Sequence, residues 1–333
     1  MRLPVIAKVL GLLMMLFSLT MLPPLGISLL YDDGQWQRFA NGLMMVMFGG
    51  LVVWLPFRRV AGDLRVRDGF LITTLFWVVL SVAGSIPFYL SNNAPNTYID
   101  SLFEAVSGLT TTGATVITGI DSLPESMLWY RQQLQWLGGM GIIVLAVAIL
   151  PMLGIGGMQL YRAEVPGPVK DNKLTPRIGE TAKALWYIYV ALTALCAFAY
   201  WAAGMTWFDA IGHSFSTVAI GGFSTHDASI GYFDSALIEM IAVVFMIISG
   251  ANFALHFMAF RQRSLRAYWQ DSEFRFYFSI LAVVSVVTVL VLIYTATLGP
   301  TKAISKGIFE VVSIATTTGF GAACPPNLTS THC

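Results

Sequence analysis

Three short segments of this 333-residue chain share one polar pattern in a single gapless register. They read Phe103-Glu-Ala-Val-Ser-Gly-Leu-Thr-Thr-Thr-Gly113, Gly212-His-Ser-Phe-Ser-Thr-Val-Ala-Ile-Gly-Gly222 and Phe309-Glu-Val-Val-Ser-Ile-Ala-Thr-Thr-Thr-Gly319. Glu104, His213 and Glu310 coincide, as do Ser107, Ser216 and Ser313, and as do Gly113, Gly222 and Gly319. The chemistry open to such segments is cation coordination. Backbone carbonyls, helped by threonine hydroxyls, could replace the hydration shell of a dehydrated monovalent cation. Glycine at the closing position permits positive φ and lets backbones approach without a Cβ clash. A short helix ending at the segment would turn its carbonyl end, where the dipole favours a cation, toward the ion. A single Thr-Thr-Thr-Gly is as readily a helix end in a packed membrane bundle. Three copies in register argue for the coordinating reading.

The elements that must hold these segments are membrane helices. Residues are 56% hydrophobic and 11% charged, against roughly 25% charged in soluble domains. That composition excludes a disordered, nucleic-acid-binding or ordinary soluble chain. Stretches near the roughly 20 apolar residues a span needs run over Val5–Leu30 (bent at Pro23-Pro24), Phe39–Phe57, Phe70–Leu90, Leu134–Leu153, Leu185–Met205, Ile238–Phe260 and Phe276–Leu298. The apolar run after Met1 continues without a small-residue cleavage site and reads as a retained helix. Segments near Tyr98–Leu109, Trp207–Val218 and Ile304–Ile314 are too short to cross and suit re-entrant half-helices. These short segments are the repeated ones. The repeat unit is therefore helix, half-helix, glycine-containing extended stretch, helix, and three such units around an axis would bring the extended stretches together. Non-helical backbone survives at that depth only when buried in protein or lining an aqueous cavity.

Placing the N-terminus in the cytoplasm leaves only Arg38, Arg131, Lys302 and Lys306 of the 19 Lys and Arg on the outer side. Most carboxylates, including Asp32, Asp33, Asp100, Asp121, Glu125, Asp209, Asp227 and Asp234, fall outside. Such a face would concentrate cations, although solvated loops are also often acidic. Glu104 and Glu310, nine residues before their glycines, could brace the filter backbone, pair with Arg131 or bind the ion directly. His213 at the same position reads as a hydrogen-bonded spacer, and His226 and Asp227 as candidates for the outer mouth. Asn252 and His256, one helical turn apart, suit either the pore or a helix–helix hydrogen bond. The basic, proline-stiffened loop from Arg162 to Lys183 either docks a cytosolic partner or only enforces topology. Gly138-Gly-Met-Gly141 and Gly154-Ile-Gly-Gly157 read as close-packing or kink sites, and Cys196 as a small buried hydrophobe. Cys196, Cys324 and Cys333 give no disulfide framework and no transition-metal spacing. No nucleophile elbow, HExxH or P-loop points to an enzyme.

Gly108-Leu-Thr-Thr-Thr-Gly-Ala-Thr115, Ala219-Ile-Gly-Gly-Phe-Ser-Thr-His-Asp-Ala-Ser229 and Ala315-Thr-Thr-Thr-Gly-Phe320 resemble the bacterial Trk-type potassium uptake subunits of the Trk/Ktr/HKT superfamily. Gln135-Trp-Leu-Gly-Gly-Met-Gly-Ile142 and Gly157-Met-Gln-Leu-Tyr-Arg-Ala-Glu164 fit the same family. The resemblance implies an all-α polytopic protein of the bacterial inner membrane, with repeated helix–pore-helix–filter-loop–helix units around a pseudo-symmetric ion pathway. It implies channel-like potassium uptake, K+ as the transported ion with no organic cofactor, a homodimer, and a cytosolic nucleotide-binding regulatory partner (TrkA-like). The filter glycines carried over are Gly113, Gly222 and Gly319. The coordinating positions are Thr110, Thr111 and Thr112, then Ala219, Ile220 and Gly221, then Thr316, Thr317 and Thr318.

The organisation expected is a helix pair over 1–66, repeat one over 67–157, a cytoplasmic loop over 158–183 and repeat two over 184–260. A second loop over 261–274, an incomplete repeat three over 275–320 and an atypical tail over 321–333 complete it. The family has four repeats. The polar, proline-broken ending from Gly321 to Cys333 reads as C-terminal truncation or frameshift. Potassium uptake is then expected to be impaired, the alternative being a non-transporting remnant that at most associates with intact subunits.

Overall fold

The computed structural model describes residues 3–60, 66–91, 97–141, 178–295 and 299–322. Every regular element among the described residues is helical. In chain order these are α1 (Leu3–Ser18), α2 (Leu22–Tyr31), α3 (Trp36–Trp54), α4 (Val66–Leu90), α5 (Tyr98–Leu109), α6 (Glu125–Gly139) and α7 (Ile178–Ala202). They continue as α8 (Trp207–Val218), α9 (Ala236–Gly250), α10 (Phe253–Gln262), α11 (Arg266–Gln270), α12 (Ser272–Tyr294) and α13 (Pro300–Ala315). They fall into two compact units. One comprises residues Met1–Thr110, Thr115–Ile117 and Leu123–Trp186, the other Thr111–Ala114, Thr118–Ser122 and Tyr187–Cys333.

In the first unit, α1 and α2 form one 29-residue span with a 3-10 turn at Leu19–Met21. Pro23 lies in the first turn of α2, where its missing N–H costs nothing. α1 lies against α3 at Gly11 and Gly50: a Cβ on either would sit 2.7 Å from a backbone carbonyl oxygen of the facing helix. Small residues permit that approach where lipid supplies no hydrophobic drive between helices. Around this pair packs one apolar core, reaching from Val5 and Phe17 through Phe39, Phe76 and Phe88 to Leu109, Tyr130 and Leu134. Tyr130 buries its ring against Phe39 and Phe88 and donates its hydroxyl to the Gly84 carbonyl at 2.9 Å. Lys8, a charge inside an apolar helix, donates to the Val60 carbonyl at 2.9 Å.

In the second unit, α12 crosses with most of its Val and Leu side chains exposed, and only Leu281 and Ser285 buried. A helix so rich in β-branched residues persists in lipid because every backbone polar group must be paired within the segment. Asp271 caps it by accepting the Phe274 N–H at 2.7 Å. α13 packs on α12 at Gly307, where a Cβ would meet Val289 Cγ2 at 2.9 Å.

Five continuous spans occur among the described residues, over Leu3–Tyr31, Trp36–Phe57, Leu71–Leu90, Lys183–Ala202 and Ser272–Tyr294. The expected span Ile238–Phe260 is corrected: it is broken, with α9 and the helix after it inclined at 94°. The chain leaves α9 at Ala251 in an extended conformation (φ −79°, ψ 153°). The break falls where a Cβ on Gly250 would stand 2.6 Å from Tyr277 Oη. The expected span Leu134–Leu153 is also corrected at its start, because its helix begins at Glu125. Arg131, Gln132, Gln133 and Gln135 depress its hydropathy, yet all four are buried. The rest of that span, the glycines at 154–157, most of the basic loop and the tail from 323 lie outside the described residues.

Candidate ion-coordinating site

The half-helices form where expected, and their ends are built alike. Thr97 and Thr206 cap α5 and α8, each accepting the N–H of the residue three further on, Asp100 or Asp209, at 3.1 Å. Each hydroxyl in turn donates to that aspartate at 2.7 Å. This resembles a capping box, except that the aspartate accepts from the cap hydroxyl rather than from the cap backbone N–H. α13 starts instead with Gly299 and Pro300, and runs from Pro300 rather than from Ile304. At 16 residues it remains shorter than a span.

Beyond each half-helix the backbone repeats one unusual conformation. Thr111, Ile220 and Thr317 have φ of 53°, 49° and 63°, and two residues later Gly113, Gly222 and Gly319 have φ of 76°, 83° and 79°. A β-branched residue in the left-handed region is an outlier costing about 1–3 kcal/mol. Three of them at one register position mark a conformation imposed by the surroundings. Amides fold back onto the helix ends: the Gly221 N–H donates to Ser216 O at 2.8 Å and the Thr318 N–H to Ser313 O at 2.9 Å, the same five-residue step. These amide donors are thereby spent on the helix ends. Thr110 and Thr316 each donate their hydroxyls four residues back, to Val106 O and Val312 O, at 2.7 Å. Those hydroxyls serve the helix ends, so the carbonyls are the stronger candidates for cation ligands.

The segments from Thr111, Ala219 and Thr316 lie together in the second unit. A Cβ on Gly113 would stand 2.0 Å from the Gly221 carbonyl oxygen, and one on Gly222 would stand 1.9 Å from the Thr318 carbonyl oxygen. Backbone therefore faces backbone from the first segment to the second and from the second to the third. Among the described residues, a Cβ on Gly319 would meet nothing within 4 Å.

The coincident residues Glu104, His213 and Glu310 brace the chain just past each glycine. Glu104, fully buried, accepts from Thr115 Oγ1 at 3.0 Å and pairs with buried Arg131 at 2.7 Å. Glu310 accepts the Ala322 N–H at 2.9 Å. His213 bonds the Asp209 carbonyl through Nδ1 and Ser224 Oγ through Nε2, both at 2.9 Å. A carbonyl only accepts, so Nδ1 carries the proton and Nε2 of the neutral ring accepts from Ser224. Of the alternatives open in the sequence, bracing is what this geometry shows.

Asn252 precedes α10 at the break, which removes the continuous helix on which it and His256 were expected to lie one turn apart. His256 bonds Tyr268 Oη at 2.8 Å and Ile248 O at 2.9 Å, the inter-helix option. A Cβ on Gly138 would lie 1.9 Å from Leu109 O, so this glycine lets α6 lie on the carbonyl end of α5. Lys306, expected on the outer side, pairs with Glu239 at 3.2 Å and also bonds the Ala322 carbonyl. Arg38 likewise bonds the Leu90 carbonyl. Sequence reading missed the Thr-x-x-Asp caps at 97 and 206, which a search for capping boxes finds. It also missed Thr115, Ser224 and Glu239, which carry no local signal.

Fold and site thus define a polytopic helical membrane protein with repeated half-helix and filter-type segments. The family profile TrkH, described as a cation transport protein, matches residues 35–327, and the chain belongs to that family. It is 61% identical over 323 residues to the Trk system potassium uptake protein TrkH of Halomonas elongata, covering 97% of this chain and 67% of that protein. It is 44% identical over 284 residues to the Trk system potassium uptake protein TrkG of Escherichia coli, covering 85% of this chain and 59% of that protein. Its structure matches the crystal structure of the potassium transporter TrkH from Vibrio parahaemolyticus with a TM-score of 0.85 and 52% identity. That match covers 97% of this chain and 66% of that one. The chain spans about two thirds of the length of the curated relatives it matches.

Proposed function

We propose that this chain takes up potassium across a bacterial inner membrane, through a filter of backbone carbonyls at Thr110–Thr112, Ala219–Gly221 and Thr316–Thr318, closed by Gly113, Gly222 and Gly319. The observation that carries the reading is the threefold conformation, a strained β-branched residue followed two positions later by a left-handed glycine. Three helix carbonyl ends meet these segments, and each adds about half a negative charge near the ion. A dehydrated monovalent cation gains ligands there without a carboxylate that would hold it too tightly for flux. The buried Glu104 supports the same reading, since its charge is spent on Arg131. The face of Gly319 is where the fourth segment implied by the family resemblance would fit.

The N-terminus lies in the cytoplasm in this reading. Arg131, Lys306 and Arg38, three of the four outer cations, are engaged in internal bonds. The protein works as a homodimer with a cytosolic nucleotide-binding regulatory subunit, and the Trk system names of the relatives support such assembly. The test is rubidium uptake, with and without excess sodium, in cells stripped of their own potassium uptake systems. Uptake that sodium does not displace is expected. A chain present in the membrane without uptake would instead be the non-transporting remnant.

A further inference from the structure

The loop leaving the second filter carries a histidine that the filter does not use. His226 Nδ1 lies 2.6 Å from Asp121 Oδ1, on the loop that follows the first filter. Its Nε2 lies 3.4 Å from Asp209 Oδ1, in the first turn of α8. The ring stacks on Tyr232 with centroids 3.5 Å apart and planes within 7°. Asp121 and Asp227 exchange backbone N–H bonds to each other's carboxylates, both at 3.3 Å. The His226 N–H donates to Ser224 Oγ, the hydroxyl that His213 holds. The titratable groups around the ring among the described residues are therefore Asp121, Asp209, Asp227, His213 and Tyr232. Two carboxylates, Asp121 and Asp209, contact the ring, and Asp227 is bonded to Asp121.

We propose that His226 is a positioning residue of the ion pathway: as an imidazolium it ties the first repeat's outer loop to the segment leaving the second filter, and cation passage falls when the tie is lost. The proposal rests on reading Ala219–Gly222 as a filter, and on these loops facing outward. Burial alone pulls the imidazole down, but its bonds and charge attraction to Asp209 and Asp121 outweigh it, so protonation persists above the ordinary histidine range. A raised pKa in the folded state makes the tie complete below the unfolded value of about 6.5. The tie is lost as pH rises through the folded value.

Two measurements test this. Amide hydrogen exchange of residues 118–122 and 223–229, corrected for intrinsic rates, is compared at pH 6 and pH 9 in the purified chain. The parent is expected to be protected at pH 6 and open at pH 9, His226→Gln open at both, and His226→Arg protected at both. Protection in the parent that ignores pH, or that His226→Gln leaves intact, overturns the tie. Rubidium uptake between the same external pH values should fall about tenfold in the parent, a typical coupling between sites. It should stay low in His226→Gln and hold up at pH 9 in His226→Arg. Equal profiles in all three overturn the proposal and leave the filter standing. Uptake unchanged by Gly113→Ser would remove the filter reading instead, and the exchange data would still decide the tie.

Discussion

At the scale of single residues, the glycines of the filter are not equivalent. Gly113 and Gly222 each face a backbone carbonyl oxygen, and a Cβ at 2.0 or 1.9 Å from it cannot be accommodated without moving backbone. Among the described residues Gly319 is constrained only by its φ of 79°, and alanine there pays the left-handed cost of about 1–2 kcal/mol. Gly113→Ala and Gly222→Ala should therefore abolish rubidium uptake, while Gly319→Ala retains part of it. Equal loss at all three would show that φ, not the facing carbonyl, decides. The Glu104–Arg131 pair is buried on both sides, with side chains 0% and 1% exposed. Arg131→Met should lower stability by about 3–5 kcal/mol, because it leaves a carboxylate buried without its partner. Adding Glu104→Gln should recover much of that loss, as followed by thermal unfolding in detergent.

Among the elements, the half-helices were the most legible. Tyr98–Leu109 and Trp207–Val218 coincide with the expected bounds because each is an apolar run followed directly by its glycine-containing segment. α13 begins four residues before the expected Ile304 because Pro300 and Lys302 interrupt the apolar pattern in its opening turn. α6 was misplaced for a related reason. Hydropathy treats Arg131 and Gln133 as groups seeking water, whereas here Arg131 has its partner in the half-helix α5. The break after α9 had a visible glycine, but the residue that demands it, Tyr277, is far along the chain. That contact gives a sharp expectation. Gly250→Ala brings a methyl within 2.6 Å of Tyr277 Oη, and overpacking of this kind costs about 1–3 kcal/mol. Tyr277→Phe removes the clashing oxygen, so the double variant should unfold above the Gly250→Ala single variant. Additive losses would place the need for glycine in the backbone bend itself.

For the whole molecule, membrane residence followed from composition, and the proposed orientation rests on the distribution of Lys and Arg. Arg38, Arg131 and Lys306, three of the four cations that this orientation places outside, are engaged in internal bonds. Cysteine introduced at Asp234 should react with an impermeant maleimide applied to intact cells, and cysteine at Arg263 only after the membrane is opened. The reverse pattern would invert the topology. The alignment of three segments in sequence was enough to foresee that they share a backbone conformation. That the extended stretches come together follows from the repeat; which backbone groups face each other was not legible, because it depends on the packing of Gly113, Gly222 and Thr318 across 109 and 96 residues of chain. The central claim is that this meeting of backbones passes potassium. Its most direct test is rubidium uptake by the parent chain and by Gly113→Ser, both quantified in the membrane of cells without other potassium uptake. The account predicts uptake above the empty vector that Gly113→Ser reduces to background. Equal uptake by the two, or none by a parent chain present in the membrane, would contradict it.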